Sequence, residues 1–415
     1  MQALVFDVNV EEIIHLIQDV GQSKEAYLGE HSPLTLREVP DAVVQFPDWL
    51  VITTHLTGIC GSDYKQVFID FENIDSPLAA CATFPQVMGH EVVGTIAAVG
   101  PAVTTRRVGQ RVVLNPWLSC APRGVRPLCP MCVAGQYSLC QSFRRGRLAA
   151  GIHTGTCRDA SGGFAPAVPA HESMAIPIPD DISDEQAVLA DPFSVSLHSV
   201  LRHPPQPGDL VVVYGCGTLG LCAIEILHKL FDVRIVAITR FAHQARLARQ
   251  LGAAETIAWR PVEDIIERLR ETTGAELFSP SAGAPGLPML FGPAGVRVVY
   301  NTVGTAESLE VAVRIAGPRA TVVISGVDTP ARFEWSPHYF KEINLVGSNA
   351  FGVEEWNGVR QHAMAHYFDL IRSHRVDVTP ILTHRFALAD FKEAFRTTHH
   401  QGETGAVKVL FDFRA

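Results

Sequence analysis

Two rhythms of apolar residues divide the chain, and the change comes near residue 200. Up to about residue 115, short β-rich runs alternate with turns, at residues 3–6, 34–36, 49–56, 91–99 and 111–114. That part reads as irregular, mainly β structure, with a helical turn or two over residues 11–18. A loop region at 146–170 leads into Gly162-Gly163-Phe164-Ala165. Residues 176–180 read as a proline-rich linker, and Ser183-Asp184-Glu185-Gln186 opens a capped helix.

From residue 210, strands and helices take turns. The run Leu210-Val211-Val212-Val213-Tyr214 predicts a strand, residues 221–230 a helix and residues 234–238 a second strand. Helices at 242–251 and 262–272, a strand at 296–300, a helix at 307–315 and a strand at 321–324 follow. Such alternation builds an α/β, doubly wound parallel sheet. Between residues 273 and 295 the rhythm breaks into a Gly/Pro-rich apolar insertion. Loops of that length are either functional or mobile. A helical stretch at 362–374 and a β-like piece at 407–411 close the chain.

The first strand of this half runs into Gly215-Cys216-Gly217-Thr218-Leu219-Gly220, a G-x-G-x-x-G spacing between a strand and a helix. There the glycines permit a tight turn and close approach to a pyrophosphate, and the helix N-terminus offers free N–H groups to it. In NAD-binding folds a carboxylate about 20 positions on holds the ribose 2′-hydroxyl. Here Thr239 stands in that place and Arg240 follows. A guanidinium can pair with a 2′-phosphate that a carboxylate would repel, so the sequence favours NADP over NAD.

Composition narrows the class further. At 415 residues two domains are expected, and 47% hydrophobic with 19% charged residues describes a packed globular protein. A formal charge of −9 and the lack of a basic run argue against a nucleic-acid partner. The longest apolar segment, 210–227, is broken by glycines and is no membrane span. The N-terminus lacks the marks of a signal peptide, so a cytoplasmic setting is expected. Nine cysteines, four of them crowded into 120–140, then suggest metal binding before disulfides.

Candidate chemistry lies upstream of the glycine turn. Cys60 and His90 offer a thiolate and an imidazole suited to zinc, though each alone is weak evidence. Gly58-Ile59-Cys60-Gly61-Ser62-Asp63, then Gly89-His90-Glu91, then the cysteine cluster, resemble the zinc-dependent medium-chain dehydrogenases of the alcohol dehydrogenase superfamily. The sorbitol and threonine dehydrogenase-like branch is nearest. The resemblance spans nearly the whole chain.

It implies a mainly β, GroES-like catalytic domain over 1–195 and 349–415, with a zinc lobe at about 115–142. A Rossmann domain over 196–348 would bind NAD(P). It also implies a catalytic zinc held by Cys60, His90 and Asp191, the last in a segment similar to the one that carries the family's acid. Glu91 would lie against the metal and could replace its water. As a cap of its helix, Asp191 would need no metal. Cys120, Cys129, Cys132 and Cys140 would hold a structural zinc, provided that Cys120 reaches back over the 121–128 loop. Arg126 stands where the family pattern puts its first cysteine.

The implied reaction is hydride transfer between an alcohol or carbonyl polarised by zinc and C4 of the nicotinamide. Ser62 matches the family's proton-relay hydroxyl, whereas Lys65 replaces the relay histidine. An unperturbed lysine is a poor acid–base group near neutrality. Lys65 would then serve a phosphate or an acidic substrate group, with Glu91 and water carrying protons. The same parts would also serve a reductase of C=C or C=N bonds, or a non-catalytic zinc and nucleotide binder. A small-molecule alcohol or carbonyl is the expected substrate, with a pocket around Ser62, Phe68, His153 and the 273–295 insertion. A homodimer or homotetramer is the expected assembly.

Overall fold

Val211 and Val213 enter one apolar cluster while Val212 and Tyr214 enter another, so the strand Leu210–Tyr214 is buried on both faces. Strands without a solvent face belong inside a parallel sheet covered by helices on both sides. The computed structural model describes residues 1–8, 14, 24–70, 80–281, 286–292, 295–328, 334 and 336–414. Its six-stranded parallel sheet runs in the order Glu255–Ala258, Arg234–Thr239, Leu210–Tyr214, Val296–Asn301, Ala316–Ile324, Asn344–Gly347. This is the doubly wound order, with its switch point between the first strand and the fourth.

A second sheet forms the other half. Its strands lie in the order Leu382–Phe386, Lys408–Asp412, Trp49–Gly58, Glu91–Val99, Arg111–Leu114, Ala175–Pro177, and Ala167–His171 pairs with Trp49–Gly58. The chain therefore returns to its first half after completing the nucleotide sheet. Gln2–Phe6 pairs with Leu34–Glu38 and Gln86–Val87 in a small sheet alongside. Among the described residues no helix is long and apolar enough to cross a membrane.

Several expectations need correction. The proline-rich stretch at 176–180 is not simply a linker, because Ala175–Pro177 pairs with Arg111–Leu114. The capped helix after it does form: Ser183 N–H donates to Gln186 Oε1 and Gln186 N–H donates to Ser183 Oγ. The strand Glu255–Ala258 was hidden in a short polar run between two helices. Part of the 273–295 insertion is a hairpin, Glu276–Phe278 against Met289–Phe291, with Phe278 and Phe291 stacked at 4.7 Å. Lys341 Nζ donates to the Leu290 carbonyl and Arg314 to that of Leu287, which anchors the hairpin to the sheet domain. The helical turn expected at 11–18 lies, except for residue 14, outside the described residues.

The helix Ala190–Arg202 crosses from one half to the other. The expected boundary at 195/196 thus falls inside a continuous helix. Ser196 Oγ donates to the carbonyl of Leu219, tying that helix to the glycine turn at 2.9 Å.

Candidate active site

Cys60 lies two residues past the strand Trp49–Gly58 and is the N-cap of the short helix Gly61–Val67. Asp63, three residues on, accepts the Cys60 N–H at 2.9 Å, which fixes the turn that presents the thiol. His90 follows Gly89, whose φ of +89° suits glycine, and a side chain there would collide with the Phe164 ring. The backbone of Gly162, Gly163 and Phe164 bonds to Val87, Gly89 and Met88 and clamps this turn. Glu91 then begins the strand Glu91–Val99 beside Gly58.

These elements bring one ligand atom each from Cys60, His90 and Glu91 within 4.8 Å of one another. Asp191 stays outside that set. It lies in the first turn of its helix, one residue beyond the start, and caps nothing; Leu189 is the N-cap. Its carboxyl faces the group all the same. Burial, then the charge of Glu91, raise its pKa to about 7 against the opposing pull of His90 and Lys408.

Two residues that sequence reasoning left without a role complete the site. Asp63 Oδ1 stands 3.6 Å from His90 Nδ1, within ion-pair range but longer than a hydrogen bond. Burial lowers the pKa of His90, yet Asp63 and Cys60 outweigh it and hold the imidazole well above its ordinary value. Lys408, fully buried on the returning strand Lys408–Asp412, is ion-paired with Glu91 and donates to the Ile59 carbonyl at 3.0 Å. Asp63 was legible as a neighbour of Cys60, but nothing in the sequence linked residue 408 to residue 91.

His153 packs against His90 at 4.6 Å between ring centroids, with Trp117 edge-on at 5.7 Å. Its Nδ1 lies 2.6 Å from the Thr154 carbonyl, and burial followed by the charge of His90 brings its pKa down to about 3. His153 therefore lies against His90. Phe68 does not: it is 1% exposed in a core with Tyr27 and Phe395. Ser62 is half-buried on the Cys60 helix, and Lys65 Nζ lies 2.7 Å from Asp328 Oδ2.

The four cysteines of the lobe also converge within 4.8 Å. Cys120 and Cys140 place their sulfurs 3.6 Å apart, and the amides of Cys129 and Ser142 point at Cys120 and Cys140. The 121–128 loop makes this reach through Arg123, whose guanidinium is wholly buried. It donates to the carbonyls of Leu118, Arg145, Leu148, Ala149 and Gly151. Against burial, the amides of Gln141 and Cys132 bring the Cys129 thiol down to about 6, while Cys140 and burial push Cys132 up.

On the nucleotide side, Gly217 caps the helix Thr218–Leu230 and Thr218 Oγ1 donates to Val407 of the returning segment. Gly215 and Gly220 approach so closely that a side chain on Gly220 would strike the Gly215 carbonyl. Thr239 ends the second strand, buried. Arg240 is exposed, with its guanidinium carbon 5.1 Å from the Phe241 ring and 5.0 Å from Trp259. Among the described residues no carboxylate pairs with it.

Residues 46–180 match the family described as alcohol dehydrogenase GroES-like domain, and residues 218–364 match zinc-binding dehydrogenase. The chain is 26% identical to L-idonate 5-dehydrogenase of Vitis vinifera over 86% of its length and 85% of the relative's. It is 29% identical to L-threonine 3-dehydrogenase of Rhizobium johnstonii, covering 88% of this chain and 92% of that one. A zinc-binding dehydrogenase of Sinorhizobium meliloti, solved bound to NADP, superposes with a TM-score of 0.69 at 25% identity, covering 99% of this chain and 98% of the other.

Proposed function

This chain belongs to the zinc-dependent medium-chain dehydrogenases of the alcohol dehydrogenase superfamily, and on that footing we propose how its own residues move a hydride between NADP and an alcohol or its carbonyl partner. The observation that carries the reading is one of placement. Ligand atoms of Cys60, His90 and Glu91 converge beside a helix that Ser196 ties to the glycine turn. Metal and nicotinamide would then share one cleft.

The residues fit a zinc ion. Asp191 Oδ2 is buried without a hydrogen-bond partner, and thiolate, imidazole and carboxylate make a ligand set typical of catalytic zinc. Bound there, Zn²⁺ would supply positive charge that acidifies a substrate hydroxyl or polarises a carbonyl. Cys60, His90 and Glu91 would hold it, with the buried carboxyl of Asp191 close by. Asp63 orients the His90 ring, and Lys408 offsets the charge of Glu91. Ser62 Oγ takes the proton outward. Lys65 is engaged with Asp328 and stands aside from that route.

Cys120, Cys129, Cys132 and Cys140 would hold a second, structural zinc. Unpaired Arg240 and the absence of a carboxylate at Thr239 support NADP over NAD, as does the NADP bound by the Sinorhizobium protein. Among the described residues Asn344–Gly347 has one unpaired edge, which supports self-association, sheet to sheet, as a homodimer or a larger homo-oligomer. Nine cysteines without a disulfide suit the reducing cytoplasm.

Metal analysis with an alcohol and aldehyde panel, run with both cofactors, tests the reading. Two zinc ions per chain and a higher kcat/KM with NADP are expected, and Arg240→Ala should cut the NADP-to-NAD ratio about tenfold, the weight of one charge-assisted contact. Equal or tighter use of NAD by the parent protein would reject the NADP assignment. One zinc per chain, unchanged in Cys120→Ser, would reject the structural site.

A further inference from the structure

Lys65 stands five residues past Cys60, and its ammonium is held by Asp328 at 2.7 Å. Both ends are shielded, with side-chain exposures of 19% and 5%. Salt screens a pair this far from water only weakly. The two ends belong to different halves of the molecule. Lys65 lies on the helix that Cys60 caps. Asp328 lies in the loop after Ala316–Ile324, at the carboxyl end of the parallel sheet where dinucleotides bind.

At Gly326 that loop is tightly packed. A side chain at Gly326 would collide with the backbone of Val303 and Gly304. Val303 and Thr302 in turn wall in Gly215, and Thr302 Oγ1 donates to the Gly215 carbonyl at 2.9 Å. A packed path therefore runs from the metal-side helix through Lys65, Asp328, Gly326 and Val303 to the glycine turn.

We propose that Lys65 and Asp328 are positioning residues whose ion pair spans the cleft. It fixes the spacing between the Cys60 helix and the strand ends, and it slows escape of the dinucleotide. The proposal rests on the cofactor reading above and assigns this chain's departure from the relay histidine to holding the domains together.

A double-mutant cycle tests it. Lys65→Met, Asp328→Asn and the double variant are compared for two readouts. One is amide exchange over residues 325–328 in cofactor-free protein; the other is the rate at which bound NADPH, followed by fluorescence, is displaced by excess NADP. Each single variant should release NADPH about tenfold faster, as loss of a shielded charge pair at an interface does. Faster exchange over 325–328 should accompany it. The double variant should be no faster than either single one, and Lys65→Arg should bring the rate back to within about twofold of the parent, as conservation of the charge requires. Additive effects in the double variant, or parental release rates in variants that still bind NADPH, would overturn the proposal. Parent protein that binds no dinucleotide would overturn the functional reading, and this inference with it.

Discussion

At His90, burial and neighbouring charge pull in opposite directions. Loss of water disfavours the imidazolium, yet Asp63 and Cys60 prevail and hold its pKa well above the ordinary value. A zinc ion in the same place would bring the positive charge those groups call for, without a proton. Asp63→Asn removes the carboxylate that faces Nδ1. Zinc affinity should then fall about 10–100-fold, the usual consequence of losing an orienting partner. Competition with a chromophoric chelator measures it, and unchanged affinity would deny Asp63 the role. The sequence displayed Asp63 beside Cys60 without a function, because its contact with His90 spans 27 positions (90 − 63) and exists only after folding. Lys408 was further out of reach. Its burial against Glu91 depends on the last strand pairing with Trp49–Gly58.

Elements with a strong internal period were the legible ones. The run Leu210–Tyr214, the glycine turn and the helix after it follow from pattern, although the helix begins at Thr218 rather than 221. Short or edge elements were not. Glu255–Ala258 has four residues, one of them buried, and the hairpin Glu276–Phe278 with Met289–Phe291 is read as loop because glycine and proline flank it. The cysteine lobe shows why spacing alone misleads. The long gap between Cys120 and Cys129 closes around Arg123, which gathers five carbonyls. Arg123→Ala would leave several buried acceptors unpaired, at a cost of at least about 3 kcal/mol, and should shed the structural metal first. Urea unfolding followed alongside metal release would show it.

The helix that Ser183 caps offers a pH test at the same scale. A hydrogen bond from His55, and pairing with Arg111 against the cost of burial, hold the Asp184 carboxyl at about 2, below its ordinary 3.8. The unfolded chain therefore binds the proton more readily. Stability from this group is complete above about pH 4 and disappears as pH falls through about 2. Asp184→Asn should flatten the acid limb of the stability profile in that window while leaving its slope near neutrality alone. An unchanged acid limb would show that the strands at His55 and Arg111 do not draw stability from this carboxylate.

At the scale of the whole molecule, the chain folds its β half, builds the nucleotide sheet, and returns to finish the first half with Lys408–Asp412. That return places Lys408 under Glu91 and Val407 over Thr218, so the metal side and the nucleotide side are fastened by one segment. The division into two halves was legible from the change of rhythm near residue 200. The fastening was not, since it joins residues far apart in the chain. In the proposed reaction hydride passes in this cleft under control of the Cys60–His90–Glu91 centre. An alcohol deuterated at its carbinol carbon, drawn from whichever panel member turns over, tests that claim most directly. Deuterium is expected at C4 of the nicotinamide by NMR, with loss of the transfer in His90→Ala protein that keeps its second zinc. Transfer at the parental rate in that variant, or reduced cofactor without deuterium, would contradict it.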